Sequence, residues 1–331
     1  MKLSILKGNI FDKIKEIQDE SVDLVITSPP YWGLRNYNVE GQLGLEPTME
    51  AYLDNTLKWV KEVWRVLKPK GSFILNIGDT FSNPEKGHKQ YAQGENSIYK
   101  DAPQDNEFVK IRPKGGIYKS RQLLSVSSFA YCKIISETDF VCRGEHIWCK
   151  PNVPSPIRSR LKHSHEKVFW FVKDPKNYYF DEKPWLKKVT ESSKAPSLRA
   201  TLTTPLQGTF SNKEQHENLR NKEKPKYEET IEHSWRIIPV GEKQQGFELS
   251  DKTKQEHIAP FPTTLIEPYI SSLCPNEGVI LDPFLGSGTT MRVAMENHRD
   301  SIGIELNDNY IKYAKARLNW GMGLDTEYYE S

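Results

Sequence analysis

Over residues 1–80, and again from 257 to 331, apolar positions fall in two registers: short continuous runs, and residues three or four apart. Val22-Asp23-Leu24-Val25-Ile26 is a short apolar run that predicts a buried strand. It must stop at Ser28-Pro29-Pro30, because two prolines lack the N–H that further ladder bonds need. From Thr48, a helix-capping residue, Leu53, Leu57, Val60, Trp64 and Leu67 recur at helical spacing until Lys68-Pro69-Lys70-Gly71, which is expected to end the helix. Phe73-Ile74-Leu75-Asn76-Ile77 then reads as the next buried strand. Leu123, Val126, Ala130 and Ile134 predict a further helix, with Ile147-Trp148 and Val168 to Val172 as strands. Near the end, a helix from Thr264 to Leu273 precedes a strand at Val279-Ile280-Leu281. A helix over Thr289–Glu296, a strand at Ile302-Gly303-Ile304 and a last helix from Tyr310 to Leu318 complete the pattern. Strands alternating with helices point to an α/β chain built on a parallel sheet.

Two stretches interrupt this alternation. Phe81 to about Lys119 is polar, with no period, and reads as a long loop or insertion. Residues 175–256 are charged, with Trp185, Tyr227 and Trp235 scattered among lysines and glutamates, and form a candidate accessory lobe. A chain of 331 residues suffices for one substantial core carrying such a lobe. The net charge of +2 neither requires nor excludes a polyanionic partner. The opening Met1 to Lys7 is too short and too charged for a secretory signal, and no apolar run reaches the length of a membrane span, so an intracellular, soluble protein is expected. Four cysteines (Cys132, Cys142, Cys149 and Cys274) stand far apart without a C-x-x-C pair, which fits a reducing compartment and argues against a disulfide framework or a metal site.

Chemistry concentrates at two strand ends. Leu281-Asp282-Pro283-Phe284-Leu285-Gly286-Ser287-Gly288-Thr289-Thr290 joins a strand to a helix, and Glu305 ends the following strand. Two glycines allow a tight turn and a close ligand approach, and a carboxylate on the next strand can accept both hydroxyls of a ribose. Position 291 is Met291 where a pyrophosphate fingerprint wants a third glycine, so an adenosine-containing cofactor other than a dinucleotide is favoured. At the other strand end, Thr27-Ser28-Pro29-Pro30-Tyr31 fixes the Ser28 hydroxyl and the Pro29 carbonyl beside an aromatic ring. An exocyclic amine on a base is a poor nucleophile because its lone pair is delocalised. Two acceptors gripping its hydrogens would favour a pyramidal nitrogen, with Tyr31 stacked on the base. A plain proline-rich turn remains the alternative for the pentapeptide alone.

Taken together, Thr27–Tyr31 and Asp282–Thr289 resemble the catalytic and cofactor motifs of the amino-group DNA methyltransferases. Catalytic motif first and cofactor motif last is similar to the circularly permuted beta group of that family. The resemblance implies a Rossmann-like S-adenosylmethionine-dependent methyltransferase fold with an inserted target-recognition region. Its expected divisions are a catalytic-core half at 1–80, a polar insertion at 81–120, a core continuation at 121–174, the recognition region at 175–256 and a cofactor-binding half at 257–331. It places Ser28, Pro29, Pro30 and Tyr31 at the target base, and Glu305 at the ribose of S-adenosyl-L-methionine. Asp282 and the stretch from Phe284 through Gly286, Ser287 and Gly288 to Thr289 take the methionine portion, and Phe261-Pro262 forms a lid. Lys7-Gly8-Asn9 sits near the adenine, with Asn9 where the family often has Asp. His146 to Val172 resembles the strand pair behind the pocket.

Ser28 at the first catalytic position is associated in that family with cytosine N4, and Asp or Asn with adenine N6. A serine hydroxyl can nonetheless accept from either amine, so adenine N6 is the alternative. The expected partner is double-stranded DNA, with a cognate restriction endonuclease as a further candidate and a monomer or homodimer as the assembly. DNA grip is expected from Lys114, Lys119 and Arg121 in the first insertion. In the second it is expected from Lys187, Lys188, Lys194, Arg199, Lys222, Lys224 and Lys226, near Trp185 and Trp235. Arg158, Arg160, His163, His165 and Glu166 form a charged cluster that reads equally as structure or as DNA contact. Trp32, Arg35 and Tyr37 are candidates for lining the pocket, with core packing equally open for Trp32. Rival readings are an RNA or protein methyltransferase, which would place the cofactor motif first, and a non-catalytic nucleic-acid-binding scaffold, which would have lost one motif.

Overall fold

The computed structural model describes residues 1–37, 39–82, 119, 122–151, 160–188, 229–231, 235–238, 261–321 and 328–330. The strands are β1 (Leu3–Lys7), β2 (Val22–Thr27), β3 (Leu67–Ile77), β4 (Val141–Cys149), β5 (His165–Val172), β6 (Leu186–Lys188), β7 (Glu229–Ile231), β8 (Trp235–Ile237), β9 (Val279–Asp282), β10 (Asp300–Glu305) and β11 (Tyr328–Glu330). The helices are α1 (Ile10–Lys13), α2 (Met49–Val66), α3 (Val126–Glu137), α4 (Thr263–Leu273), α5 (Thr289–Glu296) and α6 (Asp308–Gly321). The chain divides into two compact units, Met1–Asp181 with Ser234–Ser331, and Glu182–His233. Within the second unit β6 and β7 pair antiparallel. Lys114, Arg121, Arg158, Lys194, Arg199, Lys222, Lys224, Lys226 and Tyr227 lie outside the described residues.

The first unit is organised on a nine-stranded sheet in the order β11-β1-β10-β9-β2-β3-β5-β4-β8. Strands β1, β10, β9, β2 and β3 run parallel, while β5 is antiparallel to both β3 and β4. From β2 the chain steps outward to β3 through α2, and from β9 it steps the other way to β10 through α5. The β2/β9 boundary is therefore a topological switch point, where loops diverge at the carboxyl ends of parallel strands and leave a crevice. Both sequence motifs leave the sheet at that boundary.

The helix after Thr48 forms as expected: the Thr48 hydroxyl accepts from the Ala51 N–H at 3.1 Å. It ends at Val66, and the chain passes straight into β3 rather than turning through Lys68–Gly71. The register explains how: Val22 faces Leu67 while Leu24 faces Ser72, so the extra residues around Pro69 bulge from the ladder, where a missing N–H costs nothing. Strands β4 and β5 are longer than the apolar runs suggested, because residues 143–146 of β4 and His165, Glu166 and Lys167 of β5 carry no apolar signal although they pair in the ladder.

One core packs α2 and α3 against the sheet. Trp59, Val60, Val63, Phe73, Phe169 and Phe171 are fully buried there, and Phe73 stacks on Phe171 at 5.6 Å between centroids. A second cluster joins Leu3, Ile5, Leu285, Met291, Ile311 and Leu318 around β1 and β10. Leu285 of the glycine turn belongs to this cluster and Phe284 packs edge-on against Trp59 at 5.2 Å, so both cores grip the turn. Among the described residues, no helix is long and apolar enough to cross a membrane.

Candidate active site

Strand β2 delivers Ser28 to the switch point, and the two prolines turn the chain away from the sheet. Tyr52 of α2, 1% exposed, donates its hydroxyl to the Pro30 carbonyl at 3.0 Å, tying the corner to the core. Trp32 is buried to 1% exposure, with Nε1 donating to the Glu46 carbonyl at 2.9 Å, which resolves it as a packing residue. The Tyr31 ring lies against Gly78 at the end of β3, where an added Cβ would come within 2.6 Å of Cε2. Its hydroxyl is 2.8 Å from Glu166 Oε2, 3.1 Å from Ser28 Oγ and 3.3 Å from Asn76 Oδ1. Burial, and then the charge of Glu166, push the Tyr31 phenol well above its usual range, so it remains a proton donor at physiological pH.

Asp282, at the end of β9, joins the two motifs. Its Oδ1 accepts from Thr27 Oγ1 at 2.6 Å and from the Phe284 N–H at 3.1 Å, and its Oδ2 accepts from Thr290 Oγ1 at 2.6 Å. Burial raises this carboxyl against the opposing pull of those three donors. The turn itself needs glycine. Gly286 and Gly288 have φ of 55° and 80°, in the left-handed region that other residues enter at a cost. A Cβ at Gly288 would also meet the Ala314 backbone at 3.2 Å. Arg317 of α6, 4% exposed, reaches beneath the turn to Thr289 Oγ1 at 2.8 Å and Ser287 Oγ at 3.3 Å, and burial pulls its guanidinium down to about 10.

Glu305 ends β10 beside the turn. Its two oxygens accept from the Gly286 and Asn307 N–H groups at 2.8 and 2.7 Å, and burial is the main cause that pushes its carboxyl up to about 6. Asn9 caps α1 by accepting from the Phe11 N–H at 3.0 Å, and its amide nitrogen donates to the Gly41 carbonyl at 3.0 Å. Both ends of that side chain thus have protein partners, and Asn9 ties the loop after Trp32 to the end of β1.

These elements enclose one cleft of about 760 Å³, within the range of small-molecule sites. Of the residues singled out in the sequence, Asn9, Ser28, Pro29, Pro30, Tyr31, Phe261, Asp282, Phe284, Gly286, Ser287, Thr289 and Glu305 line it. Pro262 and Gly288 do not: Pro262 caps α4, and Gly288 caps α5 behind the turn. Arg35 and Tyr37 line it too, and Tyr37 meets Tyr310 edge-on at 5.9 Å. Sequence reasoning missed Asn76, Asp79, Lys150 and Tyr310, which reach the cleft from separate elements. From the charged cluster left open in the sequence, Arg160, His163 and Glu166 all line the cleft, with the Arg160 guanidinium 3.6 Å above the Phe81 ring. The signal for Glu166 was its place at the start of β5, one residue beyond the Ile77–Lys167 pair and therefore opposite Gly78.

A mixed sheet with its cleft at a switch point between parallel strands, a glycine turn facing a carboxylate, and a rigid Ser-Pro-Pro-Tyr corner in the same cleft define a Rossmann-like group-transfer enzyme. The chain belongs to the N6/N4 DNA methylase family, whose model, described as DNA methylase, matches residues 22–316. It is 28% identical over 320 residues to the Type II methyltransferase M.XycI of Xanthomonas campestris pv. cyanopsidis, covering 95% of this chain and 87% of that one. Solved structures that share the fold include two DNA methylases. The PvuII DNA methyltransferase (cytosine-N4-specific) superposes with a TM-score of 0.59 at 20% identity, covering 99% of this chain and 89% of that one. The putative DNA modification methylase TTHA0409 of Thermus thermophilus, complexed with S-adenosyl-L-methionine, does so with a TM-score of 0.53 at 19% identity over 98% and 99% of the two chains. The protein is a DNA methyltransferase, and S-adenosyl-L-methionine is its cofactor.

The residues present fit that cofactor. Glu305 offers lone pairs beyond the two N–H bonds it accepts, as ribose hydroxyls require, and the left-handed glycines leave the turn backbone open to close approach.

Proposed function

We propose that this protein methylates the exocyclic N4 of cytosine at a specific site in duplex DNA. The observation that carries the reading is that Ser28 and the glycine turn, far apart in sequence, line the same cleft and are joined through the Thr27–Asp282 hydrogen bond. S-adenosyl-L-methionine, when bound, supplies an electrophilic methyl group on a sulfonium. Glu305 holds the ribose, the turn from Phe284 to Thr289 takes the methionine portion, and Phe261 covers it. Asp282 acts by fixing the turn to the corner, since its carboxylate is occupied by three protein donors.

The target cytosine leaves the duplex, at a cost of about a few kcal/mol, and its ring lies against Tyr31. Ser28 Oγ and the Pro29 carbonyl accept the two amine hydrogens, which directs the nitrogen lone pair away from the ring and stabilises the positive charge that develops there. No covalent bond to the protein is required. Residues 175–256 supply target recognition in this reading. Duplex DNA is the partner in this reading, with a cognate restriction endonuclease as a further candidate; M.XycI is named a Type II methyltransferase.

Expression in cells that lack DNA methylation, followed by nucleoside mass spectrometry, tests the reading. N4-methylcytosine with the wild type and none with Ser28→Ala is the expected result. N6-methyladenine instead would keep the site and overturn the base, and an unchanged product with Ser28→Ala would overturn the role of the corner.

A further inference from the structure

Ser28 and Tyr31 share one hydrogen bond whose direction decides what Ser28 offers to the cleft. Their oxygens are 3.1 Å apart, and either hydroxyl is able to supply the proton. Tyr31 has a single O–H and three polar neighbours: Glu166 Oε2 at 2.8 Å, Ser28 Oγ at 3.1 Å and Asn76 Oδ1 at 3.3 Å. The carboxylate is both the nearest and the strongest acceptor, so it takes the proton. Its other oxygen is ion-paired with Lys150, both side chains being largely buried at 13% and 14% exposure, and the Lys150 ammonium also lies 4.7 Å above the Trp148 ring. With its proton committed to Glu166, the Tyr31 oxygen can only accept from Ser28. The Ser28 proton is then committed as well, and Ser28 Oγ presents nothing but lone pairs to the cleft.

We propose that Glu166 is a positioning residue for methyl transfer, which sets the donor order of the Tyr31–Ser28 pair so that Ser28 meets the target amine as an acceptor only. This rests on the reading of Ser28 as the group that grips the amine. A target amine carries two N–H donors and a delocalised lone pair, so it needs acceptors. Without Glu166 the Tyr31 hydroxyl is released to donate to Ser28, at 3.1 Å the nearer of its two remaining acceptors with Asn76 Oδ1 at 3.3 Å, and the Ser28 proton then points at the amine, donor against donor.

Single-turnover methyl transfer, together with equilibrium affinities for cofactor and DNA, is to be measured for the wild type and for Glu166→Gln, Tyr31→Phe and the double variant. Glu166→Gln should slow transfer by about tenfold or more while both affinities stay within about threefold. In the double variant, Glu166→Gln should add nothing to the defect of Tyr31→Phe, because the hydroxyl it acts through is already gone. Multiplied defects, or a wild-type rate for Glu166→Gln, overturn the proposal. Should Glu166→Gln fail to fold, Tyr31→Phe alone decides: it keeps the ring and deletes the same proton, and a wild-type rate overturns the proposal. A wild-type rate for Ser28→Ala would instead sink the underlying reading of the corner, so the two failures are distinguishable.

Discussion

Glu305 carries a titration that ought to be visible in cofactor binding. Burial raises its carboxyl to about 6 in the cofactor-free protein, and the cofactor ribose requires the ionised form as acceptor. Above about pH 7 the group is charged and affinity should be flat. As pH falls through about 6 the carboxylate gains a proton, loses acceptor capacity, and affinity should fall. Calorimetric titrations with S-adenosyl-L-methionine between pH 5 and 8 check this, and Glu305→Gln should flatten the profile while lowering affinity throughout. A wild-type profile that stays flat to pH 5 would refute the ribose role. At this scale the sequence was informative where chemistry and strand ends coincide. Glu305 and Gly286 were legible because a glycine turn and an acid at the next strand end imply each other. Asp282 was legible as a site residue but not as the bond between motifs, because its partner Thr27 is remote in the chain. Asn9 was visible through resemblance, yet only the fold shows its amide engaged with Phe11 and Gly41.

Strand β3 ends by laying Gly78 flat against the Tyr31 ring. A methyl group there would lie 2.6 Å from Tyr31 Cε2 and 3.3 Å from Glu166 Cγ, so Gly78→Ala must displace the ring. The Gly78 backbone is not in the left-handed region, which makes the effect steric rather than conformational. Methyl transfer should fall by about tenfold or more, with cofactor affinity within about threefold of wild type because Glu305 and the glycine turn stand on other strands. Loss of cofactor binding would show that the displacement spreads beyond the corner. Among the elements, α2 was legible from its helical spacing and its Thr48 cap. β1 was overlooked, because Leu3-Ser4-Ile5-Leu6 is brief and framed by lysines, and pairing with β10 on one side and β11 on the other stabilises it as a strand. The start of β3 was hidden for the opposite reason: Pro69 and Gly71 read as a stop, and the sheet absorbs them as a bulge.

Over the whole molecule, net charge gives no hint of a polyanionic partner, whereas the cleft collects Arg160, Lys150 and His163 on one side. Arg160 is exposed and stacks on Phe81 at the cleft, and a phosphate contact there is a prediction of the proposed function. Duplex affinity measured from 50 to 200 mM salt should show a log–log slope reduced by about one in Arg160→Ala, with sequence preference unchanged. An unaltered slope would return Arg160 to a structural role. The α/β class and the order of the two motifs could be read from the chain. The divergence of loops at the β2/β9 boundary could not, since it depends on which strands neighbour one another.

That neighbourhood has a consequence in time. Strands β1 and β2 follow each other closely in the chain but are separated in the sheet by β10 and β9, which are made only after β3 to β8. A nascent chain therefore emerges from the ribosome with a gap two strands wide, bordered by unpaired edges that invite mispairing. Thr27 waits for Asp282 across 255 positions, roughly 13 to 50 s at a synthesis rate of about 5–20 residues per second. Until then a half-made chain carries Ser28 with no turn beside it, and the cell holds no partial enzyme, only a polypeptide in need of shelter.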